Sequence, residues 1–228
     1  PLLNRVRGLG LPSRHAIRPR AALILLVPFV NWHPIPGGKQ YPREPSGRVV
    51  LVGLTGRNAS GKSTLVSWFS EKGLRNVSCS DSIRTWLRGQ GIEPTRGALI
   101  EGGRDLRRSG GAGVLAEMLL KILDGEDAVV DSIRTPAEVE ALRSRGDFVL
   151  IEVSADEESR WQRMTERRRV GDPTEKEMFL SQEAAEASSD DEAGQALDAT
   201  ASMADITVLN DGTIEDLEGK LEEIWASL

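Results

Sequence analysis

From residue 49 onward, short apolar runs alternate with longer stretches whose apolar residues recur at helical spacing. Val49-Val50-Leu51-Val52-Gly53-Leu54, Ala128-Val129-Val130-Asp131 and Phe148-Val149-Leu150-Ile151-Glu152-Val153 are compact and β-branched. Runs of that kind are strands buried on both faces of a parallel sheet. Asn76–Ser78 and Asp205–Leu209 read as two shorter strands. Between them, residues 62–72 place Leu65, Val66 and Phe69 on one face and stop at Gly73. A second helix opens at Ser80-Asp81-Ser82-Ile83-Arg84 and carries Trp86 and Leu87. Residues 97–107 and 112–123 are expected to be helices separated by Ser109-Gly110-Gly111, and 136–144 another. Asp156–Arg169 is helical and ends in a basic cluster, with Val170-Gly171-Asp172-Pro173 as its breaker. An acidic helix over 174–187, a mobile loop at Ser188–Gly194 and an amphipathic helix over 214–225 complete the pattern. Strands alternating with helices predict right-handed crossovers and a three-layer α/β/α fold around a parallel sheet. In such sheets ligands gather at the carboxyl ends of the strands, where Gly56, Asp81, Asp131 and Asn210 all emerge.

Composition narrows the setting. The chain has 228 residues, 39% hydrophobic and 28% charged, as in an ordinary globular protein. A single cysteine, Cys79, excludes an internal disulfide framework and fits a reducing cytoplasm, the expected location. With only His15 and His33 beside that cysteine, a zinc site lacks ligands. The net charge of −6 is unevenly spread: residues 1–48 hold eight Lys or Arg and one acid, so the remainder sums to −13. An acidic body argues against nucleic acid as a partner. Arg-rich residues 1–20 followed by the apolar run Ala21–Val30 have the look of a signal or transit sequence. That run is too short to span a bilayer and Pro28 interrupts it, so no membrane partner is expected. Residues 1–47 are instead expected to be a disordered extension, or upstream codons foreign to the native protein, with the domain occupying 48–228.

The chemistry concentrates in Gly56-Arg57-Asn58-Ala59-Ser60-Gly61-Lys62-Ser63, which fits the phosphate-loop pattern G-x-x-x-x-G-K-[ST] and sits between a strand and a helix. A glycine-rich turn at a helix N-terminus aims backbone N–H groups at one anion. ATP and Mg²⁺ are therefore the expected cofactors, with Gly56, Asn58, Ala59, Ser60, Gly61, Lys62, Ser63 and Thr64 as nucleotide contacts. Lys62 is expected to reach the β- and γ-phosphates and Ser63 the metal. Asp131 ends the strand beside the loop, as a second metal ligand or else as a helix cap. Arg134 either holds a substrate phosphate or pairs with Asp131. Asp81 opens a helix, where plain N-capping competes with any chemical role.

Residues 53–64 resemble the opening of dephospho-CoA kinases, within the nucleoside-monophosphate (adenylate) kinase-like group. Ser80-Asp81-x-Ile83-Arg84, Val130-Asp131-Ser132-Ile133-Arg134 and Ala204-Asp205-x-x-Val208-x-Asn210-Asp211-Gly212 are similar, in order and spacing, to a family of archaeal kinase-like proteins. The similarity spans nearly all of 49–225 and none of 1–47. It implies a helical acceptor-binding insertion and a short Arg-rich lid on the P-loop NTPase fold. Asp81 would orient or deprotonate the acceptor, and Arg84, Arg107 and Arg134 would hold it, although a solvated helix face explains Arg107 equally well. Arg167 and Arg169, from the cluster Arg163, Arg167, Arg168 and Arg169, would close over the transferring phosphoryl group. Asn210 would lie beside the adenine, or serve only an Asn-Asp-Gly turn. Trp161, Trp225 and Cys79 are expected to be core.

Two positions depart from that family. Ser132 stands where a glycine is usual, read as a minor change, and Gln182-Glu183 stands where an Arg-Asp pair is common. The resemblance implies a phosphotransferase moving the γ-phosphoryl of Mg-ATP to a small nucleotide-like acceptor, a nucleoside monophosphate or dephospho-CoA. The alternative is an ATP-binding switch acting through a protein partner. Monomer and homodimer are both compatible with the sequence.

Overall fold

The continuous apolar runs become the strands of the sheet. In the computed structural model, which describes residues 50–169, 171–188 and 194–228, five runs are strands: β1 (Leu51–Thr55), β2 (Arg75–Ser78), β3 (Ala128–Asp131), β4 (Phe148–Ser154) and β5 (Ile206–Leu209). Residues 1–47, expected to be an extension outside the domain, together with Val170 and most of the expected loop at 188–194, lie outside the described residues. All pairings are parallel and the order is β2-β3-β1-β4-β5, so β1 is central. Ser78 is level with Asp131, and Gly53 with Val130 and Leu150, which brings the strand ends to a common edge.

Nine helices lie among the described residues: α1 (Lys62–Glu71), α2 (Cys79–Gly89), α3 (Arg96–Gly110), α4 (Val114–Leu123), α5 (Pro136–Arg143), α6 (Glu157–Arg167), α7 (Lys176–Ala187), α8 (Leu197–Ala201) and α9 (Ile214–Ser227). Successive strand residues point to opposite faces, so each strand feeds two cores. Leu51, Val130 and Leu150 pack with Leu87 of α2, Leu115 and Leu119 of α4 and Leu142 of α5. Val52, Val129 and Ile151 pack with Leu65 and Phe69 of α1 and Leu217 and Leu221 of α9. Each fully buried Leu, Ile or Phe contributes roughly 1.5–3 kcal/mol to holding the layers together. Trp225 packs on Trp68 and Phe69 beside the second core, and Trp161 contacts Phe179 of α7 with ring centroids 5.5 Å apart.

The ends of α3 and α6 move, α6 stopping at Arg167 and not Arg169, and one further helix appears. Helix α3 continues through Ser109 and Gly110, and the break comes at Gly111, whose φ of 93° lies in the left-handed region. Helix α8 was not expected; it is a single five-residue turn whose Leu197 and Thr200 are buried. Among the described residues, no helix is long and apolar enough to cross a membrane.

Candidate functional site

The loop between β1 and α1 takes a shape only its own sequence permits. Gly56 has φ 130°, and a Cβ there would lie 2.3 Å from the Val153 carbonyl oxygen. Gly61 has φ 104°, and its Cβ would lie 2.1 Å from Asn210 Nδ2. Helix α1 has no side-chain N-cap. Among the described residues, no carbonyl or side chain accepts the N–H groups of Gly61, Lys62 and Ser63, although Thr64 N–H bonds to the Gly61 carbonyl at 2.9 Å. Three consecutive free donors at a helix N-terminus fit an anion. Lys62 Nζ meanwhile donates back to the Gly56 and Arg57 carbonyls at 2.7 and 2.8 Å. Burial pushes the Lys62 pKa down to about 8, helped by Arg134 and Arg167 and opposed by Asp131 and Glu186.

A cleft of about 450 Å³ opens in front of this loop. Lys62, Arg84, Arg96, Arg107, Arg134, Arg167 and Arg169 line it, against the carboxylates Asp131, Asp172 and Glu186. The lining thus carries an excess of positive charge inside an acidic molecule, which is the electrostatics of an anion site. Ser63 and Asp131 both face it, while Gly56, Ser60, Thr64, Asp81 and Asn210 are not among its lining residues.

Around the cleft, the arginines have specific partners. Arg167 forks onto Asp172 through Nε and Nη2 at 2.8 and 3.0 Å and also reaches Asn58 Oδ1 at 3.0 Å, so it links the end of α6 to the phosphate loop. Arg134 does not pair with Asp131; its Nη1 donates to Glu186 at 3.1 Å and to Gln195 Oε1 at 2.8 Å. The Asp131 carboxylate accepts the Ser132 N–H at 2.7 Å instead. Arg169 is exposed at the rim, with no ion-pair partner among the described residues. Asp81 is not the cap of α2, because Ser78 accepts the Ser80 N–H. It pairs with Arg84 at 2.8 Å, with its side chain 58% exposed. Only Arg84 of the two faces the cleft, so Asp81 bears on that space through Arg84.

Three expectations are corrected, two by burial and one by backbone conformation. Arg107 is no solvated helix residue: it is 6% exposed and its Nη2 bonds to Glu138 at 2.7 Å. Glu138, fully buried, also accepts the Arg134 and Thr135 N–H groups at 2.8 and 3.2 Å. Asn210 serves more than a turn: it is 8% exposed and its Nδ2 donates to the Ser60 carbonyl at 2.9 Å, bracing the phosphate loop. Its own carbonyl accepts Arg163 Nη2 at 2.7 Å. Ser132 has φ 65°, a conformation that favours glycine, so the exchange at this position is not minor.

Sequence reasoning missed several neighbours. Glu138 was within reach, since Thr135-Pro136-Ala137-Glu138 has the S/T-x-x-E spacing of a capping box, and α5 forms one. No local signal marked Arg96 or Glu186, whose importance comes from contacts across the fold, whereas Asp172 pairs with Arg167 only five residues before it. Arg57, a variable position of the loop pattern, bonds to Asp198 of α8 at 2.7 Å and approaches Glu183 at 3.8 Å. Glu183 is buried and also pairs with Arg160. Cys79 is buried as expected, and burial raises its thiol pKa.

No family model matches the chain. It is 32% identical over 180 residues to a UPF0200 protein of Methanothrix thermoacetophila, covering 78% of this chain and 97% of that one. A UPF0200 protein of Pyrobaculum aerophilum is 30% identical over 183 residues, covering 78% and 98%. Among solved structures, TT1252 from Thermus thermophilus superposes with a TM-score of 0.53 at 20% identity, covering 79% of this chain and 98% of that chain. Shikimate kinase from Bacteroides thetaiotaomicron gives 0.51 at 14% identity, covering 78% and 98%. At these identities the two structures share the fold.

Proposed function

The chain belongs to the UPF0200 family, and from that premise we propose that it is an ATP-dependent phosphotransferase acting on a small nucleotide-like acceptor, a nucleoside monophosphate or dephospho-CoA. One observation carries the proposal: Gly61, Lys62 and Ser63, whose N–H groups have no acceptor among the described residues, line the same cleft as arginines from other elements. The loop would hold the triphosphate of ATP, and Ser63 and Asp131 would hold Mg²⁺, which needs few protein ligands when phosphate oxygens complete its shell. ATP supplies the γ-phosphoryl group. Lys62 would exchange its loop carbonyls for phosphate oxygens, and Asn210 keeps the loop in shape by bracing Ser60. On the acceptor side, Arg84, oriented by Asp81, and Arg134 would bind the acceptor's charge. Arg167 and Arg169 would neutralise charge spreading over the transferring group and exclude water. Catalysis of this kind is positioning and charge neutralisation. We take residues 48–228 as the unit that performs it, and 1–47 as a leader outside it.

The test is purified protein with Mg-ATP, offered nucleoside monophosphates, dephospho-CoA and nucleosides in turn. Saturable, acceptor-dependent ADP formation is expected; its absence with every acceptor would sink the proposal. A second reading, an ATP-binding switch, draws on Arg57, which ties the phosphate loop to α8 and, through Glu183, to α7. It predicts hydrolysis indifferent to small acceptors and recovery of a tightly bound protein partner.

A further inference from the structure

Glu186 occupies an unfavourable place in α7. It lies in the last turn, where exposed carbonyls at the negative end of the helix repel a carboxylate, and that turn holds no basic residue. Its side chain is nevertheless only 13% exposed, because it divides its two oxygens between guanidiniums from two other elements. Oε1 accepts from Nη2 of Arg96, at the start of α3, and Oε2 accepts from Nη1 of Arg134, beyond β3, both at 3.1 Å. Those bonds are longer than the usual 2.7–2.9 Å of charge-assisted pairs. The bridge stands at the cleft wall: Arg96 and Glu186 line both the main cleft and a neighbouring compartment of about 330 Å³. Helix α7 is lightly held, with Phe179 and Glu183 as its buried residues and no side-chain cap at its start.

A carboxylate spanning two guanidiniums has the geometry of a bound oxyanion. We infer that Arg96 and Arg134 are the point at which the acceptor's anionic end binds, and that Glu186 is a built-in competitor which the acceptor must displace. This rests on the phosphotransferase reading and deepens it. The tethered carboxylate is always present at high effective concentration, so a ligand with a single negative charge gains little by replacing it. A phosphate monoester, with close to two charges and three acceptor oxygens, replaces it with profit. The acceptor class is therefore one that carries a terminal phosphate, which selects a nucleoside monophosphate over dephospho-CoA, whose phosphates form an internal diphosphate bridge.

The experiment saturates the phosphate loop of the full chain with Mg²⁺ and a non-hydrolysable ATP analogue, then titrates inorganic phosphate calorimetrically. Glu186→Gln should tighten phosphate binding about tenfold by removing the competing charge, and Arg96→Ala should weaken it at least as much, each moving phosphate affinity well beyond the smaller change that the altered cleft charge makes in analogue affinity. Glu186→Asp, too short to span both guanidiniums, should also tighten phosphate and serves as the second variant should the Gln form melt early. Normal analogue binding with phosphate affinity unaltered or reduced in both Glu186 variants overturns the inference alone. Failure of the analogue to bind the wild-type chain removes the phosphotransferase reading and this inference with it.

Discussion

Ser132 holds a left-handed backbone immediately after Asp131, with its N–H given to that carboxylate. For a residue with a Cβ this conformation costs roughly 1–2 kcal/mol, of which glycine would recover all but the roughly 0.5–1 kcal/mol it loses in unfolded-chain entropy. Ser132→Gly should therefore stabilise the protein by about 0.5–1 kcal/mol and raise its Tm by about 1–4 °C in a thermal melt. An unchanged or lowered Tm would mean that the serine hydroxyl makes up for the strain. The residue pattern was legible where function demands a contiguous motif: residues 56–63 spell out their loop because glycine alone tolerates φ 130° and 104° at Gly56 and Gly61. It was illegible where partners are far apart in sequence. Asn210 braces Ser60 across 150 positions, and nothing local to an Asn-Asp-Gly turn announces that.

Helices α3 and α5 meet through one buried ion pair, and it fixes the floor on which Arg134 stands. Arg107 comes from α3; Glu138 is the third residue of α5, where it closes the capping box with Thr135 and takes the Arg134 N–H. Removing one partner strands the other as an uncompensated buried charge. Arg107→Ala should cost about 3–5 kcal/mol in urea denaturation, and the Arg107→Met, Glu138→Gln double variant markedly less. Equal losses in both would locate the effect in packing. The strands and long helices were readable from periodicity, since the two cores enforce it on every one of them. Helix α8 was not, because five residues are too few to show a period. The end of α3 was displaced because Ser109-Gly110 looks like a break, whereas the helix turns only at Gly111.

At the scale of the molecule, charge is segregated. The chain carries −6 overall, and −13 beyond residue 48, yet the cleft at the strand ends is lined by more cations than anions. Periodicity announced a parallel sheet with helices on both faces, and that is the architecture. The order β2-β3-β1-β4-β5 lay beyond it, because crossovers, not hydrophobic alternation, decide which strands become neighbours. That order puts β1 between β3 and β4, so the phosphate loop and Asp131 leave adjacent strands and the positive potential is focused at one point. A small polyphosphate can enter such a point, whereas a nucleic acid must lie along an acidic surface to reach it. Neither single-stranded DNA nor RNA should therefore stimulate ATP turnover or compete for the nucleotide, and ATP affinity should fall as salt is raised through a few tenths molar. Steady-state assays with and without oligonucleotide, across a salt series, measure both effects. Stimulation by nucleic acid would mean that the basic residues 1–48, not the acidic remainder, govern which partner the protein meets, and the small-acceptor assignment would have to be abandoned.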